Sequence, residues 1–421
     1  MSVAWYRRTS AALAALTVVG TLAVTPAHAE SDPPSPIVRW SPLSIAASGE
    51  CTRPGPNVPG TPWALQRVVL DQVWQSQGGK ATGEGVLVAV IDTGVDKSNP
   101  QLGDKVEDGK SLLKDKEGKP VGGTGFDDNV GHGTKVAGII AASASDATGF
   151  VGLAPKARIL AIRQNDAEGN GDVTSLIEAI DLAISRKAQV INISQDVRGG
   201  GETGNFKGFE LLQAALERAE AAGVVVVAST GNDGKEGNTY PAAFDTVLSV
   251  GASDRNNERA LFSQYGEFVK VAAPGVDMLS TVPGGGQCVD NGTSFAAPYA
   301  AGVAALVISA YPGLKPAQVR ARIEQTAQRV KLDHDAYIGW GVVDPLKAVT
   351  GPAPTAASAV PDAPVKLASA PILPQPLGLG ETQADRDRRT ATYVLASGAL
   401  LVALLAGGAV VIRDSRRRSE I

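Results

Sequence analysis

Val88-Ala89-Val90-Ile91-Asp92-Thr93-Gly94 is an apolar run that ends in a carboxylate and then turns. The run begins at Val86 and stays apolar through Ile91, so both of its faces need cover. That suits a strand of a parallel sheet packed between helices. Runs of the same kind occur at Ile159–Ile162, Val190–Ile193, Val224–Ala228, Val247–Val250 and Val269–Ala272, and amphipathic stretches of helical spacing lie at Thr174–Lys187 and Phe209–Ala222. Strand and helix alternating in this way predict a layered α/β fold with a mostly parallel central sheet.

The flanks read differently. Arg7 and Arg8 precede an apolar run from Ala11 to Val24, and Ala27-His28-Ala29 has the small-x-small pattern of a signal-peptide cleavage site. Residues 1–29 are therefore expected to be a signal peptide or an uncleaved signal anchor; either exports the body of the chain. Residues 30–60 are rich in Pro, Ser and Gly and read as an irregular arm, which carries Cys51. A helical pattern begins at Thr61-Pro62-Trp63-Ala64-Leu65 and runs to about Gln77, opening a folded domain over 61–350. Residues 351–390 are Pro- and Ala-rich and read as an extended linker. Tyr393–Ile412 contains no charge and is about 20 residues long, enough to cross a bilayer as a helix. A buried core helix has the same composition, but the terminal position and the adjoining Arg413, Arg416, Arg417 and Arg418 favour a membrane span over 391–412. The positive-inside rule then puts residues 413–421 in the cytoplasm and the body outside, as a single-pass cell-membrane protein.

Aromatic residues make up only 5% of the chain against 43% hydrophobic, so the core has to be built from Ala, Val, Ile and Leu. The net charge of −4, with no basic patch interleaved with aromatics, excludes a nucleic-acid signature. In an exported chain Cys51 and Cys288 can form a single disulfide or remain two buried thiols. They are too few for an all-cysteine zinc site.

Three motifs carry chemistry. Asp92 ends its strand rigidly, as an orienting carboxylate must, although Asp also ends strands merely to begin a turn. His132, in Gly131-His132-Gly133-Thr134-Lys135-Val136-Ala137-Gly138, stands between glycines at the start of the apolar helix Val136–Ala142. His28 leaves with the signal peptide, so the other candidate base is His334, in the polar stretch Lys331-Leu332-Asp333-His334-Asp335, which reads as a solvated loop. Ser294, in Asn291-Gly292-Thr293-Ser294-Phe295-Ala296-Ala297-Pro298, sits at the N-terminal turn of a helix that continues into the small-residue stretch Tyr299–Ala310, where free N–H groups and the dipole favour an oxyanion. A helix-capping serine looks the same in isolation. Asn232, in the turn Ser229-Thr230-Gly231-Asn232-Asp233-Gly234, offers either a turn or an amide donor.

None of these motifs decides the matter alone, but the order Asp, His, Asn, Ser with these flanks resembles the subtilisin family over Trp63–Val349, including Gly339-Trp340-Gly341-Val342-Val343-Asp344-Pro345. The resemblance implies a three-layer subtilisin-like fold and a serine endopeptidase. In it Asp92 orients His132, His132 is the general base, Ser294 the nucleophile and Asn232 the oxyanion donor. It also implies a substrate strand at Ser194, Gln195 and Asp196, with Thr230 and Gly231 as further substrate-binding residues. Ser194-Gln195-Asp196 replaces the familiar Ser-Leu-Gly, so the pocket should differ in shape and charge and accept a limited set of protein substrates. Gln101 stands where many subtilisins place a calcium-binding Asp, and 144–149 lacks the Asn-rich calcium pattern. No metal or other cofactor is expected. More narrowly, the signal segment, cysteine-bearing arm, Gly-Thr-Ser-Phe-Ala-Ala-Pro motif, Pro-rich linker and terminal span resemble the mycosins. That family implies partners in a type VII secretion complex, an arm that wraps the catalytic domain, and, if Cys51 bonds Cys288, an arm fastened near the active site. The competing reading is an assembly subunit that uses the protease fold for docking.

Overall fold

A computed structural model describes residues 51–115, 119–166, 171–198, 206–363 and 380–419. The expected signal segment, arm residues 30–50 and linker residues 364–379 lie outside the described residues. The chain divides into two units, Met1–Ala363 and Pro364–Ile421.

The first unit is built on a sheet of seven strands: β1 (Leu87–Asp92), β2 (Val106–Ser111), β3 (Arg158–Arg163), β4 (Val190–Ile193), β6 (Val225–Ser229), β8 (Val247–Ser253) and β9 (Val271–Pro274). Their order is β2-β3-β1-β4-β6-β8-β9 and every pairing is parallel. Two small antiparallel pairs join β5 (Val197–Arg198) to β7 (Thr239–Tyr240), and β10 (Met278–Thr281) to β11 (Gln287–Asp290). The helices are α1 (Trp63–Gln66), α2 (Leu70–Gly79), α3 (His132–Ala141), α4 (Val173–Ser185), α5 (Phe209–Ala221), α6 (Thr293–Ala310), α7 (Pro316–Thr326) and α8 (Pro345–Val349).

Because side chains alternate along a strand, the sheet has two cores. Val88, Val90, Ile159 and Ala161 face α3 and α6, whereas Ala89, Ile91, Leu160 and Ile162 face α4 and α5. This is the predicted three-layer α/β architecture, and it explains why β1 is apolar at every position before Asp92. The chain leaves β1 toward β3 on one side and β4 on the other. Such a reversal opens a crevice at the carboxyl ends of the strands. In register, Asp92 pairs with Arg163, Ile91 with Ile193, and Ile193 with Ala228, so Asp92, Ser194 and Ser229 end on one edge.

The helix expected from 61 to about 77 is broken into α1 and α2. Val69 leaves helical geometry, with Val68 buried and Arg67 reaching Asn257 and Gln328, so long-range anchoring overrides the local pattern. The run read at Val269–Ala272 forms its strand two residues later. The short β10–β11 pair, with its Gly284-Gly285-Gly286 turn, and β2, which is polar after Val106, lack the continuous apolar signal.

Cys51 is disulfide-bonded to Cys288 on β11. The described end of the arm lies along that turn: Gly55 N donates to Gly285 O at 2.9 Å and Gln287 N to Pro56 O at 2.9 Å. A Cβ at Gly286 would come within 2.0 Å of Gly55 O, so this close approach requires glycine, whose φ is +73°.

The second unit is one helix, α9 (Gln383–Arg418), 36 residues long, with Thr382 capping its N-terminus and Arg416–Arg418 in its last turn. Its best 18-residue window has a mean hydropathy of 2.4 and none of that window is buried.

Candidate active site

β1 delivers Asp92 at the crevice with 1% exposure. Its backbone oxygen accepts from Gln164 N and Asn165 N at 2.8 and 3.1 Å, and Thr93 N donates to its Oδ1 at 2.7 Å. His132 begins α3, and its Nδ1 lies 2.7 Å from Asp92 Oδ1, both side chains being almost fully buried. Burial by itself favours the neutral ring. The Asp92 charge and hydrogen bond, helped by Asp290, outweigh that and raise the imidazole above its ordinary value, while Lys135 opposes them.

A residue that no motif singles out, Asp128, holds α3 against β1. Asp128 accepts from Gly131 N (2.7 Å), Thr134 N (2.9 Å), Thr134 Oγ1 (2.6 Å) and Thr93 Oγ1 (2.8 Å). It satisfies the helix start in place of Gly131, which has no side chain to do so. Thr93 in turn accepts from Gly133 N at 3.0 Å, and a Cβ at Gly133 would come within 2.0 Å of Gly94 O. Burial pushes the Asp128 carboxyl up, against the lowering effect of these hydrogen bonds. An acidic residue three positions before Gly131 is the one local signal for this role.

Ser294 is the second residue of α6, 5% exposed, and its hydroxyl donates to Ser194 O at 3.3 Å in this state. The neighbouring Phe295 ring lies 5.2 Å from the His132 ring. Asn232 is held through its Oδ1, which accepts from Thr293 N at 2.8 Å and Thr293 Oγ1 at 2.9 Å. Those two bonds fix the amide beside the start of α6.

Ser194 Oγ donates to Ser294 O at 3.0 Å, tying the end of β4 to the start of α6. Gln195 is 1% exposed and donates through Nε2 to Gln164 Oε1, and Gln164 donates to Ser175 Oγ at 2.9 Å. The Gln195 amide nitrogen is thus turned inward, while its Oε1 is buried without a hydrogen-bond partner. Asp196 covers Gly231, where a Cβ would meet its Oδ2 at 3.1 Å; Gly231 has φ +98° and donates from N to Thr293 Oγ1 at 3.2 Å. Thr230 O accepts from Thr239 Oγ1 at 2.8 Å.

His334 is not solvated as the polar stretch around it implies. Its Nε2 hydrogen-bonds Val269 O at 2.6 Å, and its ring stands edge-on to Trp340 at 5.6 Å. Packing beside β9 absorbs it. Gln101 is 5% exposed, donates through Nε2 to Ser143 O (2.8 Å) and Phe150 O (2.9 Å), and accepts from Gln287 Nε2 (2.7 Å). A neutral amide makes these ties, and a single Oε1 already engaged is a poor ligand for a hard dication.

A model of the subtilase family matches residues 83–341. Subtilisin NAT of Bacillus subtilis subsp. natto is 40% identical over 267 residues, 62% of this chain and 65% of that protein. The match thus spans just under two thirds of the length of this curated relative. Among solved structures, MycP1 from Mycobacterium smegmatis has 30% identity and a TM-score of 0.63, covering 80% of this chain and 97% of that one. The MycP3 protease from the type VII (ESX-3) secretion system has 31% identity and a TM-score of 0.63, covering 76% and 95%.

Proposed function

The chain belongs to the subtilase family, and from that premise we propose that it is a serine endopeptidase with Asp92, His132 and Ser294 as its triad and Asn232 as an oxyanion donor. The observation that carries this reading is the buried 2.7 Å contact of His132 Nδ1 with Asp92 Oδ1, set beside a serine in the first turn of a helix. With Nδ1–H donated to the carboxylate, the neutral ring has Nε2 as its basic nitrogen. Ser294 Oγ turns from Ser194 O, bonds to the peptide carbonyl carbon and gives its proton to Nε2. The Ser294 backbone N–H and the Asn232 amide hold the oxygen that becomes negative. The imidazolium, stabilised by Asp92, passes the proton to the departing amine, and water then repeats the sequence on the acyl-enzyme. The substrate backbone pairs along Ser194–Asp196.

The same reading assigns residues 61–350 to the peptidase domain and α9 to a membrane anchor. The arginines after Ile412 face the cytoplasm and the peptidase lies outside. The likeness to MycP1 and MycP3 supports a place in a type VII secretion system, with a limited set of protein substrates. Labelling the full chain with a fluorophosphonate tests the chemistry. Wild type should label at one residue and Ser294→Ala should not label; labelling that persists in the variant rules this reading out.

A further inference from the structure

Lys135 lies three residues beyond His132 in α3 and is 7% exposed. Its Nζ is 2.7 Å from Asp290 Oδ2 on β11. Two charges withdrawn from water cost more than their attraction commonly returns, so a buried pair of this kind is weak evidence for stability and invites another role. Its surroundings point to one. Asp290 lies four residues before Ser294 on the strand that leads into α6, and Asn291 N donates to its Oδ1 at 2.8 Å. The Phe295 ring neighbours both charge centres, 5.9 Å from Lys135 Nζ and 5.2 Å from the His132 ring. Backbone contacts run parallel to the pair. Ser280 Oγ donates to Lys135 O at 2.6 Å and Thr281 Oγ1 to Thr134 O at 2.8 Å, seating α3 on β10.

We propose that Lys135 and Asp290 form a positioning element of the active site: the pair locks the helix that carries His132 to the strand that leads to Ser294, and sets two opposite charges against one another beside the imidazole. This deepens the serine-peptidase reading and rests on it for its meaning. The charged groups facing His132 are Asp92 from β1, Lys135 on its own helix and Asp290 from β11. From the arm, Arg53 donates to Asn129 O beside the start of α3, and from α6 the neighbour is the uncharged Phe295. Asp92 therefore dominates the ring so long as the other two stay paired. Removing either member uncovers its partner, and the two removals act in opposite directions. Asp290→Asn leaves a cation that disfavours imidazolium. Lys135→Met leaves a carboxylate, still held by Asn291 N, that favours it.

The test reads His132 directly. The full chain, labelled with carbon-13 in its histidine rings and held in detergent micelles, is titrated by NMR, the His132 resonance being the one lost in His132→Gln. The expected result is a midpoint displaced to lower pH in Asp290→Asn, to higher pH in Lys135→Met, and returned to the wild-type position in the double variant. The acid limb of the fluorophosphonate labelling rate should move through the same three displacements, so that at a pH on that limb Lys135→Met labels roughly threefold or more slowly than wild type. Midpoints that coincide in all four proteins, or single variants displaced in the same direction, would overturn the proposal and leave the pair as packing alone. Should Lys135→Met not fold, Asp290→Asn against Lys135→Arg carries the same test, with a lowered midpoint in the first and the wild-type midpoint in the second. A wild type that titrates as expected but never labels at Ser294 would defeat the peptidase reading while leaving the charge balance standing.

Discussion

His132 and His334 both lie in segments with polar neighbours, and each ring has a fixed hydrogen-bond partner, yet the two partners differ in kind. His132 uses Nδ1 on a carboxylate that is 1% exposed, and that carboxylate is itself fixed by backbone N–H and the strand end. His334 uses Nε2 on a backbone carbonyl, and its Nδ1 is 3.5 Å from Glu267, whose side chain is 88% exposed. The difference lies in what the partner can do when a proton arrives. A buried carboxylate stabilises imidazolium strongly because little solvent screens it, whereas a carbonyl only orients the ring and an exposed carboxylate is screened.

Deleting each ring in turn puts the contrast under the greatest strain. His132→Ala should lower fluorophosphonate labelling by roughly 10⁴-fold or more, the scale found for triad members in subtilisin, while His334→Ala should keep most of it. Equal losses would mean that the wrong histidine has been assigned. Next come the partners. Asp92→Asn should cost about 10⁴-fold through the wrong tautomer, and Glu267→Gln should leave labelling near wild type; a comparable loss in Glu267→Gln would erase the distinction between buried and screened carboxylates. A third test is pH. Since Asp92 holds the His132 imidazole above its ordinary value of about 6.5, the base stays protonated to higher pH, and the acid limb of labelling should lie above that value. The same sign means the pairing stabilises the fold fully below the unfolded value and that this contribution fades as pH rises through the folded one. An acid limb at or below the ordinary value would contradict it. The smallest effect concerns stability. His334→Ala should lower the unfolding free energy by about 1 kcal/mol or somewhat more, from the lost bond to Val269 O and the lost Trp340 contact. Urea unfolding of the two alanine variants reads this, and no change for His334→Ala would remove its structural role.

A second pair of regions shows how far local sequence reaches. α6 and α9 each contain 18 residues apolar enough to cross a bilayer, with mean hydropathies of 1.5 and 2.4, yet the α6 window is 89% buried and the α9 window not at all. α6 is built from small residues because sheet and helix press on it; a Cβ at Gly302 would already stand 3.1 Å from Leu153 Cβ. α9 carries Leu400, Leu401, Leu404 and Leu405, which the protein leaves exposed. Alanine is frequent in both helices and glycine more so in α9, so apolarity alone does not separate the two; burial within the fold does.

The site divides along similar lines. Asp92, His132 and Ser294, the proposed triad, stand at the end or start of elements that their own neighbours specify, and Asn232 stands in the turn after β6. Asp128 was not legible in that way, because its value lies in donors gathered from Thr93, Val130, Gly131 and Thr134. Gln195 reads as a pocket residue, and only its burial against Gln164, 31 positions away in the chain, turns it inward.

Alternating strands and helices, the order of the motifs that carry the proposed site and the apolar terminal helix are properties of the linear chain, since periodicity and covalent neighbours act within a few residues. Three-dimensional packing was needed to decide that α1 and α2 separate, that His334 packs beside β9, and that Gln101 ties the loops around it through a neutral amide. It also paired Lys135 with Asp290 across 155 positions of chain. Such contacts depend on where distant segments meet and how much water they exclude, and no local pattern carries that information.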